Sequence, residues 1–258
     1  MPSTETNNTV YVITGANRGI GLGLVAALLA RPRTTVVGTA RSDAALASLA
    51  AAAADLPRGE GSVMHGMLLD LAAGLHPDEI RARFPPAVAH VDVLICSAAH
   101  CAPMATALET SAAEMRASYE VNTIAPLLVF QALWPLMKKA AAPPGPKFVA
   151  VSSSVGIIGN PEPLPGGSYG PSKAALNWLA VALHAQHAAD GLVSVALHPG
   201  FVKTAMGHAA AADWATPGVE PGVTVEESAA GILSVVDGAT RETLSGKFVT
   251  QRGQILPW

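Results

Sequence analysis

Tyr169 and Lys173 are the two side chains whose types and spacing point most directly to chemistry. They lie four residues apart in the segment Tyr-Gly-Pro-Ser-Lys, which places a phenol and an ammonium on the same face of a helix. Pro171 fits the first turn of that helix. A tyrosine has a pKa of about 10, and a neighbouring ammonium favours the phenolate and lowers that pKa. The pair therefore predicts a general acid or base.

Three consecutive serines, Ser152, Ser153 and Ser154, precede this pair at the end of an apolar run. If that run is a strand of an open α/β sheet, the hydroxyls lie at the edge where such proteins bind ligands. A serine there donates a hydrogen bond to a substrate carbonyl oxygen and polarises it. The combination favours chemistry on a carbonyl group.

A glycine-rich segment near the N-terminus predicts a nucleotide-binding turn. It follows the first predicted strand and opens the first predicted helix. Its glycines permit a tight turn, and the helix N-terminus favours the negative charge of a pyrophosphate. A plain glycine-rich turn is the alternative, but it leaves Arg18 unexplained. The candidate cofactor-binding residues of this turn are Gly15, Asn17, Arg18, Gly19, Ile20 and Gly21.

The residue at the end of the second predicted strand bears on which dinucleotide binds. An acid there accepts hydrogen bonds from the free ribose 2′-hydroxyl of NAD, but this strand ends at Arg41, and the first acid is Asp43. Arg41 and Arg18 together favour a 2′-phosphate through charge-assisted hydrogen bonds, so we predict NADPH. A solvated Arg41 at a strand end is the alternative. Asp70, after the third strand, either accepts the adenine amino group or caps a helix.

Alternating apolar runs and longer Ala- and Leu-rich stretches predict repeated βαβ units around a parallel sheet. We expect one single-domain Rossmann-type α/β fold, a doubly wound seven-stranded parallel sheet with helices on both faces. Residues 1–150 would mainly bind the dinucleotide, and residues 151–258 would mainly supply the catalytic and substrate-binding part. The predicted strands are Val10–Thr14, Thr34–Ala40, Ser62–Asp70, Val91–Cys96, Lys147–Ser152, Val193–His198 and Lys247–Thr250. The predicted helices are Arg18–Ala30, Asp43–Ala54, Pro77–Phe84, Ala112–Lys139, Tyr169–Ala189 and Thr224–Val236.

Composition excludes several classes of protein. Half of the 258 residues are hydrophobic, only 14% are charged, and the net charge is −3, so a large core is expected and a basic nucleic-acid-binding face is not. No uninterrupted apolar run reaches the ~18 residues of a membrane helix, and residues 1–8 show no secretory pattern. These features predict a cytoplasmic protein without a nucleic-acid or membrane partner. Gly159–Gly167 and Ala205–Pro221 are predicted as loops long enough to serve as functional lids.

The ordered set of motifs resembles the classical short-chain dehydrogenase/reductase family. It comprises Thr-Gly-x-x-x-Gly-x-Gly, Asn122, the serine run, Tyr-x-x-x-Lys and Pro199-Gly-x-x-x-Thr204, and it covers essentially the whole chain. The glycine-rich segment, Ala-Leu-His-Pro-Gly-Phe-Val-Lys-Thr and the ending Leu-Pro-Trp258 are most similar to the fungal norsolorinic acid ketoreductase-like branch.

The resemblance implies a role for each matching residue. Tyr169 would be the acid or base, Lys173 would hold the nicotinamide ribose, and Ser153, counted back from Gly156, would orient the carbonyl. Asn122 would kink a long helix and hold a water in a proton relay through Lys173. The implied cofactor contacts beyond the glycine-rich turn are Ser97, Ala98, Val202 and Thr204. Because the family forms dimers through two long helices, the resemblance also implies a homodimer or homotetramer.

The sequence departs from the family pattern in three places. Cys96-Ser-Ala-Ala99 replaces the usual Asn-Asn-Ala-Gly after the fourth strand, which puts local support of the cofactor in doubt. The loop Gly159–Gly167 is longer than usual, and the segment Ala205–Pro221 has little polarity apart from His208 and Asp213. These last two features predict a reshaped, mostly apolar substrate mouth.

The remaining histidines and cysteines indicate no metal site. His184 and His187 have no third ligand at a suitable spacing, and Cys101 has no basic partner that would make it a nucleophile. His100 and Cys101 either line the substrate cleft or pack structurally, and His198, at a strand end, is expected to be structural.

The leading hypothesis is an NADPH-dependent carbonyl reductase that acts on a bulky hydrophobic or aromatic ketone, with Tyr169 as general acid. A polyketide-type substrate is implied by the resemblance to the fungal branch. Two alternatives remain open at this point: an NAD-dependent secondary alcohol dehydrogenase, and a nucleotide-binding protein of the same fold that has lost its chemistry. The altered segment Cys96–Ala99 supports the last of these.

Overall fold

The computed structural model describes residues 8–140 and 145–258. The sequence predicts no secretory signal in residues 1–8, and of these only Asn8 is among the described residues. Within the described part of the chain, no helix is both long and apolar enough to cross a membrane.

Seven parallel strands form one sheet in the order β3-β2-β1-β4-β5-β6-β7. Every residue of β2 and of β5 is buried, as expected for parallel strands covered on both faces. The direction of winding reverses between β1 and β4, which opens a crevice at the carboxyl ends of these strands. The predicted seven-stranded doubly wound fold is confirmed. The strands are β1 (Thr9–Ile13), β2 (Thr34–Ala40), β3 (Val63–Leu68), β4 (Val93–Cys96), β5 (Lys147–Val151), β6 (Val193–His198) and β7 (Phe248–Thr250).

The helices follow the strands in the sequence, and some of them begin with a capping box. Ser111 and Thr224 each form a capping box with a glutamate three residues later, which satisfies two backbone donors at each helix start. The helices are α1 (Gly19–Leu29), α2 (Asp43–Ala54), α3 (Pro77–Ala82), α4 (Ala112–Tyr119), α5 (Ala125–Met137), α6 (Tyr169–Gln186), α7 (Ala205–Trp214) and α8 (Val225–Gly238).

Two hydrophobic clusters lie on opposite faces of the sheet. Alternate residues of β1 divide between them, with Val10 and Val12 in one cluster and Tyr11 and Ile13 in the other, because successive strand side chains point to opposite faces. The first cluster includes apolar residues of α3, α5 and α6, and the second includes those of α1, α2 and α8. The sheet beneath the crevice is therefore packed against helices on both faces.

The structure corrects the sequence prediction at two elements that surround the crevice. The helix predicted over Ala112–Lys139 is interrupted by a π-helical turn at Glu120–Ile124, between α4 and α5. The predicted loop Ala205–Pro221 contains α7 instead. Thr204 caps α7 by accepting a hydrogen bond from the Gly207 backbone at 3.1 Å, and its alanine-rich interior has high helix propensity.

Candidate active site

The turn between β1 and α1 approaches the segment after β4 too closely for ordinary side chains. Gly15 has φ +68°, and a Cβ at this position would lie 2.9 Å from Cα of Ala98. A Cβ on Gly21 would collide with the carbonyl oxygen of Gly15. The turn is held against β2 by two hydrogen bonds to Thr39, from the backbone N–H groups of Gly15 and Ala16. Its backbone therefore borders an open cradle.

The departure at Cys96–Ala99 leaves this cradle anchored. The backbone N–H of Ala98 donates to Oγ1 of Thr14 at 3.1 Å, and the backbone N–H of Ser97 donates to the carbonyl of Ile95 at 3.1 Å. Both bonds use backbone groups of the departing segment, so the replaced asparagines are not needed for them.

A cleft of about 900 Å³ lies at the reversal point between β1 and β4. It is lined by the predicted catalytic residues Tyr169 and Lys173, whereas Asn122 and Ser153 lie behind its wall, next to the lining residues Val121 and Ser152. Val202 is the predicted cofactor contact that does not line it. Its side chain is buried, and its backbone forms a β-bridge with Val223. The predicted cofactor residues that line the cleft are Gly15, Asn17, Arg18, Gly19, Ile20, Gly21, Arg41, Asp70, Ser97, Ala98, Tyr169, Lys173 and Thr204.

Four cationic side chains line this cleft: Arg18, Arg41, Lys173 and Lys203. Within residues 8–140 and 145–258, neither Arg18 nor Arg41 forms an ion pair or side-chain hydrogen bond, so both guanidiniums are available to an anion. Lys203 was missed in the sequence analysis, although it lies between Val202 and Thr204 at the carboxyl end of β6. The glycine cradle, the helix N-terminus and these cations fit a phosphate-bearing dinucleotide.

Asp70 lies in a turn rather than at a helix cap. β3 ends at Leu68, and Oδ1 of Asp70 accepts a hydrogen bond from the backbone of Ala72 at 3.1 Å. The side chain also borders the cleft. The helix-cap alternative is therefore wrong, and an adenine contact stays a prediction.

Tyr169 and Lys173 lie together at the inner end of the cleft. Both are on the first turns of α6, and Nζ of Lys173 lies 5.4 Å from the centroid of the Tyr169 ring. The ammonium donates a hydrogen bond to the carbonyl oxygen of Val151, at the end of β5, at 2.8 Å. The predicted helix face is present, and it is fixed to the edge of the sheet.

Burial controls the protonation of both groups. Burial raises the pKa of the Tyr169 phenol, and the nearby Cys101 thiol raises it further, whereas a hydrogen bond with Ser153 opposes them. Burial lowers the pKa of Lys173 to about 8, with Cys96 and Cys101 acting in the opposite direction. The expected lowering of the Tyr169 pKa by Lys173 is not found: Lys173 is not among the groups that shift this pKa, and its ammonium donates its hydrogen bond to the Val151 carbonyl. Tyr169 is therefore protonated at neutral pH.

Ser153 is the serine of the three that contacts Tyr169. Ser152 instead donates to the carbonyl oxygen of Lys173 at 3.3 Å. Ser153 has an extended backbone and is 9% exposed, and its hydroxyl accepts a weak hydrogen bond from the backbone of Val155 at 3.3 Å. A hydroxyl donor and a phenol donor thus lie side by side.

Asn122 ties the wall of the cleft to α6 from within the π-helical turn. Its Oδ1 accepts from the backbone N–H of His100 at 2.8 Å, and its Nδ2 donates to the His100 carbonyl at 2.8 Å and to Oγ of Ser172 at 2.9 Å. Ser172 in turn donates to the carbonyl oxygen of Tyr169 at 2.7 Å. The side chain therefore positions the helix that carries Tyr169, and the water relay implied by the resemblance stays a prediction.

α7 covers the outer end of the cleft and contacts two other walls. Oδ2 of Asp213 accepts a hydrogen bond from the backbone of Met104 at 2.9 Å, and Nε1 of Trp214 donates to the carbonyl of Pro165 at 2.8 Å. Pro165 belongs to the proline-rich loop Gly159–Gly167. His100 and Cys101 line the cleft beneath this lid.

The cysteine thiols stay protonated in this environment. Burial raises the pKa of Cys101 to about 11 and that of Cys96 to about 12, so neither is an activated nucleophile. In the part of the chain that the structure describes, no group of three His, Cys, Asp or Glu side chains is arranged to hold a metal ion.

The fold and the site define a dinucleotide-dependent oxidoreductase of the Rossmann type. A family model described as short chain dehydrogenase matches residues 9–214. The chain belongs to the short-chain dehydrogenase/reductase family.

Relatives agree with this assignment over their full length. The chain is 34% identical to the short-chain dehydrogenase srdF of Neurospora crassa, covering 98% of this chain and 99% of that one. It is also 34% identical to the norsolorinic acid ketoreductase nor1 of Dothistroma septosporum, covering 100% of this chain and 95% of that one. The NADPH-bound carbonyl reductase from chicken fatty liver has a TM-score of 0.84 at 31% identity, covering 97% of this chain and 99% of that one. The resemblance to the fungal ketoreductase branch is thus confirmed.

Proposed function

We propose that this protein is an NADPH-dependent carbonyl reductase. The observation that carries the proposal is a protonated Tyr169 that lines the same cleft as Arg18 and Arg41 and is hydrogen-bonded to the Ser153 hydroxyl. Two proton donors at one point bind a carbonyl oxygen, and two unpaired guanidiniums bind a 2′-phosphate. A ketoreductase among the full-length relatives and an NADPH-bound carbonyl reductase among the solved structures support it.

In this proposal, the chain's own residues orient the ketone and supply one proton. A dinucleotide held by the glycine-rich turn would supply the hydride that the carbonyl carbon accepts. Ser153 donates a hydrogen bond to the carbonyl oxygen, and Tyr169 transfers its phenolic proton to the same oxygen, so a ketone becomes a secondary alcohol. After this transfer the phenolate takes a proton back from solvent that enters the cleft, and the cycle returns Tyr169 to its protonated form.

The substrate in this proposal is a bulky hydrophobic or aromatic ketone. Apolar side chains from two segments line the cleft: Ala102 and Pro103 before α4, and Met206 and Ala209 on α7, with the Cys101 thiol beside them. Asp213 is the charged side chain of the lid that borders it, and this carboxylate already accepts the Met104 backbone. A polycyclic aryl ketone fits such an apolar mouth better than a small charged one.

Replacement of Tyr169 by phenylalanine tests the chemistry. Tyr169→Phe removes the proton donor and keeps the ring, so we expect turnover of ketones to fall by about 10³-fold or more while the Kd for NADPH stays within about twofold. Turnover is measured from NADPH oxidation on a panel of quinones and polycyclic aryl ketones. Tyr119→Phe is the matched control, because Tyr119 lies outside the residues that line the cleft, and it should keep wild-type rates.

Two results of this experiment would contradict the proposal. Wild-type rates in Tyr169→Phe would remove the tyrosine from the chemistry. Tight NADPH binding without turnover of any carbonyl by the wild-type protein would favour a nucleotide-binding protein that has lost its chemistry.

Replacement of Arg41 by alanine tests the choice of dinucleotide. A charge-assisted hydrogen bond contributes about 1.5–3 kcal/mol, so Arg41→Ala should weaken NADPH binding about tenfold to a hundredfold and change NADH binding less than about twofold. Calorimetry with both cofactors measures this difference. Arg83→Ala, at an exposed arginine outside the cleft, should change neither. Tighter wild-type binding of NADH than of NADPH would instead favour an NAD-dependent alcohol dehydrogenase.

A further inference from the structure

The side chain of His198 holds the turn that carries Ser153. Nδ1 of His198 accepts a hydrogen bond from the backbone N–H of Ser154 at 3.1 Å. Two residues before Ser154, the backbone N–H of Ser152 donates to the carbonyl oxygen of Leu197, the residue before His198, at 2.7 Å. Ser153 therefore lies between two hydrogen bonds to consecutive residues of β6.

This imidazole continues the sheet at the point where the backbone leaves it. β5 ends at Val151, whose register partner in β6 is Leu197. After Ser153 the chain enters a 3₁₀ turn at Ser154–Gly156, so the backbone N–H of Ser154 no longer pairs with a backbone carbonyl of β6. The His198 side chain supplies an acceptor for that N–H, which would otherwise be left unpaired at a cost of about 1–3 kcal/mol.

His198 is itself firmly placed. It pairs with Thr250 of β7, and its carbonyl oxygen accepts from the backbone of Gln251 at 2.9 Å. The following residue, Pro199, accepts from the hydroxyl of Ser228 on α8 at 2.8 Å. The backbone that carries the imidazole is thus held by β7 and α8, and the imidazole connects it to the serine turn.

The imidazole is present in the form that accepts this bond. Nδ1 accepts only when it carries no proton, which requires the neutral ring with its proton on Nε2. Burial lowers the pKa of His198, and the Glu162 carboxylate of the proline-rich loop acts in the opposite direction. The neutral ring therefore predominates at neutral pH.

We propose that His198 is a positioning residue for carbonyl reduction, which directs the Ser153 hydroxyl towards the carbonyl oxygen by holding the backbone of Ser154. The inference rests on the proposed function, in which Ser153 and Tyr169 bind that oxygen together. Hydrogen-bond donors stabilise a developing oxyanion only when they are aimed in advance, and small misplacements cost large factors in rate.

A matched pair of substitutions tests the role of the acceptor. His198→Leu removes the acceptor, and His198→Asn keeps one, since Oδ1 of asparagine occupies nearly the place of Nδ1. We expect His198→Leu to lower kcat about tenfold or more, with KM and the Kd for NADPH within about twofold. His198→Asn should recover most of that loss. Wild-type kcat in His198→Leu, or equal losses in both variants, would overturn the proposal.

A double-mutant cycle with Ser153→Ala separates positioning from a general effect on the fold. If His198 acts through Ser153, His198→Leu should lower residual turnover less than about twofold once the Ser153 hydroxyl is absent. The full loss repeated in the Ser153→Ala background would show that His198 acts by another route, and the proposal would be wrong.

Hydrogen exchange at the Ser154 amide provides a readout that is independent of turnover. This amide should exchange faster in His198→Leu and stay protected in His198→Asn, with thermal unfolding curves showing that both variants fold. Unchanged protection in His198→Leu contradicts the proposal even if the enzyme reduces ketones. If the Ser154 amide loses its protection in His198→Leu but the wild-type protein reduces no carbonyl, the proposed function is wrong. The positioning role, which rests on that function, is then wrong too.

Discussion

Two buried asparagines, Asn122 in the π-helical turn and Asn177 on α6, differ in whether their side-chain polar atoms are paired. Asn122 is 1% exposed and makes three hydrogen bonds, whereas Asn177 is 3% exposed. Within the described residues, neither polar atom of the Asn177 side chain has a partner. An unpaired buried amide costs free energy, but a paired one leaves its partners unsatisfied when it is removed.

Substitution by leucine should therefore destabilise the protein at Asn122 but not at Asn177. Asn122→Leu leaves two His100 backbone groups and the Ser172 hydroxyl without this partner, so we expect the free energy of unfolding to fall by about 3 kcal/mol. Asn177→Leu should leave it unchanged or raise it. Urea unfolding of the two variants measures the difference, and a larger loss in Asn177→Leu than in Asn122→Leu would be inconsistent with these contacts.

The Tyr169 and Lys173 pair shows what residue types and spacing predict and what they leave out. The four-residue spacing correctly predicted a shared helix face beside a serine. It also led us to expect a lowered Tyr169 pKa, whereas burial raises it. Burial depends on segments far away in the chain, such as the one that brings Cys101 next to the phenol, and no local pattern reports it.

At the scale of elements, α7 was the least predictable part of the site. Its alanines and the threonine cap are ordinary helix signals, but the whole segment Ala205–Pro221 was predicted as a loop. The contacts that matter for function, from Asp213 to Met104 and from Trp214 to Pro165, join segments that are distant in sequence. Only the assembled sheet edge brings those three walls together.

Loss of the Asp213 contact should loosen the lid. Asp213→Ala removes the acceptor of the Met104 N–H, so we expect faster hydrogen exchange in residues 205–214. The hydrogen bond lost in this variant contributes about 1 kcal/mol, so we expect the KM for bulky ketones to rise about fivefold. Asp213→Asn keeps an acceptor oxygen and should behave like the wild-type protein. Unchanged exchange and KM in Asp213→Ala would mean that this bond does not hold the lid.

At the scale of the whole molecule, one face of α6 carries a large apolar side chain in solvent. Trp178 is 69% exposed, and Ile124 in the π-helical turn is 41% exposed. By contrast, Phe130 and Met137 of α5 are buried in the core. We propose that the homodimer or homotetramer implied by the family resemblance buries Trp178.

A charge at this position should then disturb self-association. Trp178→Glu places a carboxylate where an apolar contact is expected, and we expect sedimentation velocity to show a smaller species than the wild-type protein forms at the same concentration. Trp258→Glu, at an exposed tryptophan that stacks on Phe248, is the control for a changed tryptophan. A monomeric wild-type protein would contradict the proposal.

The sequence by itself determined the fold class, the family and the nucleotide turn. Glycines, strand periodicity and the Tyr-x-x-x-Lys spacing are local signals, and each local geometry permits few alternatives. The tertiary structure decided which serine contacts Tyr169 and which backbone carbonyl binds the Lys173 ammonium. It also decided how His198 holds the turn that carries Ser153 and where α7 covers the cleft. Those outcomes depend on hydrogen bonds and burial between segments that meet only after the parallel strands align their carboxyl ends at one edge.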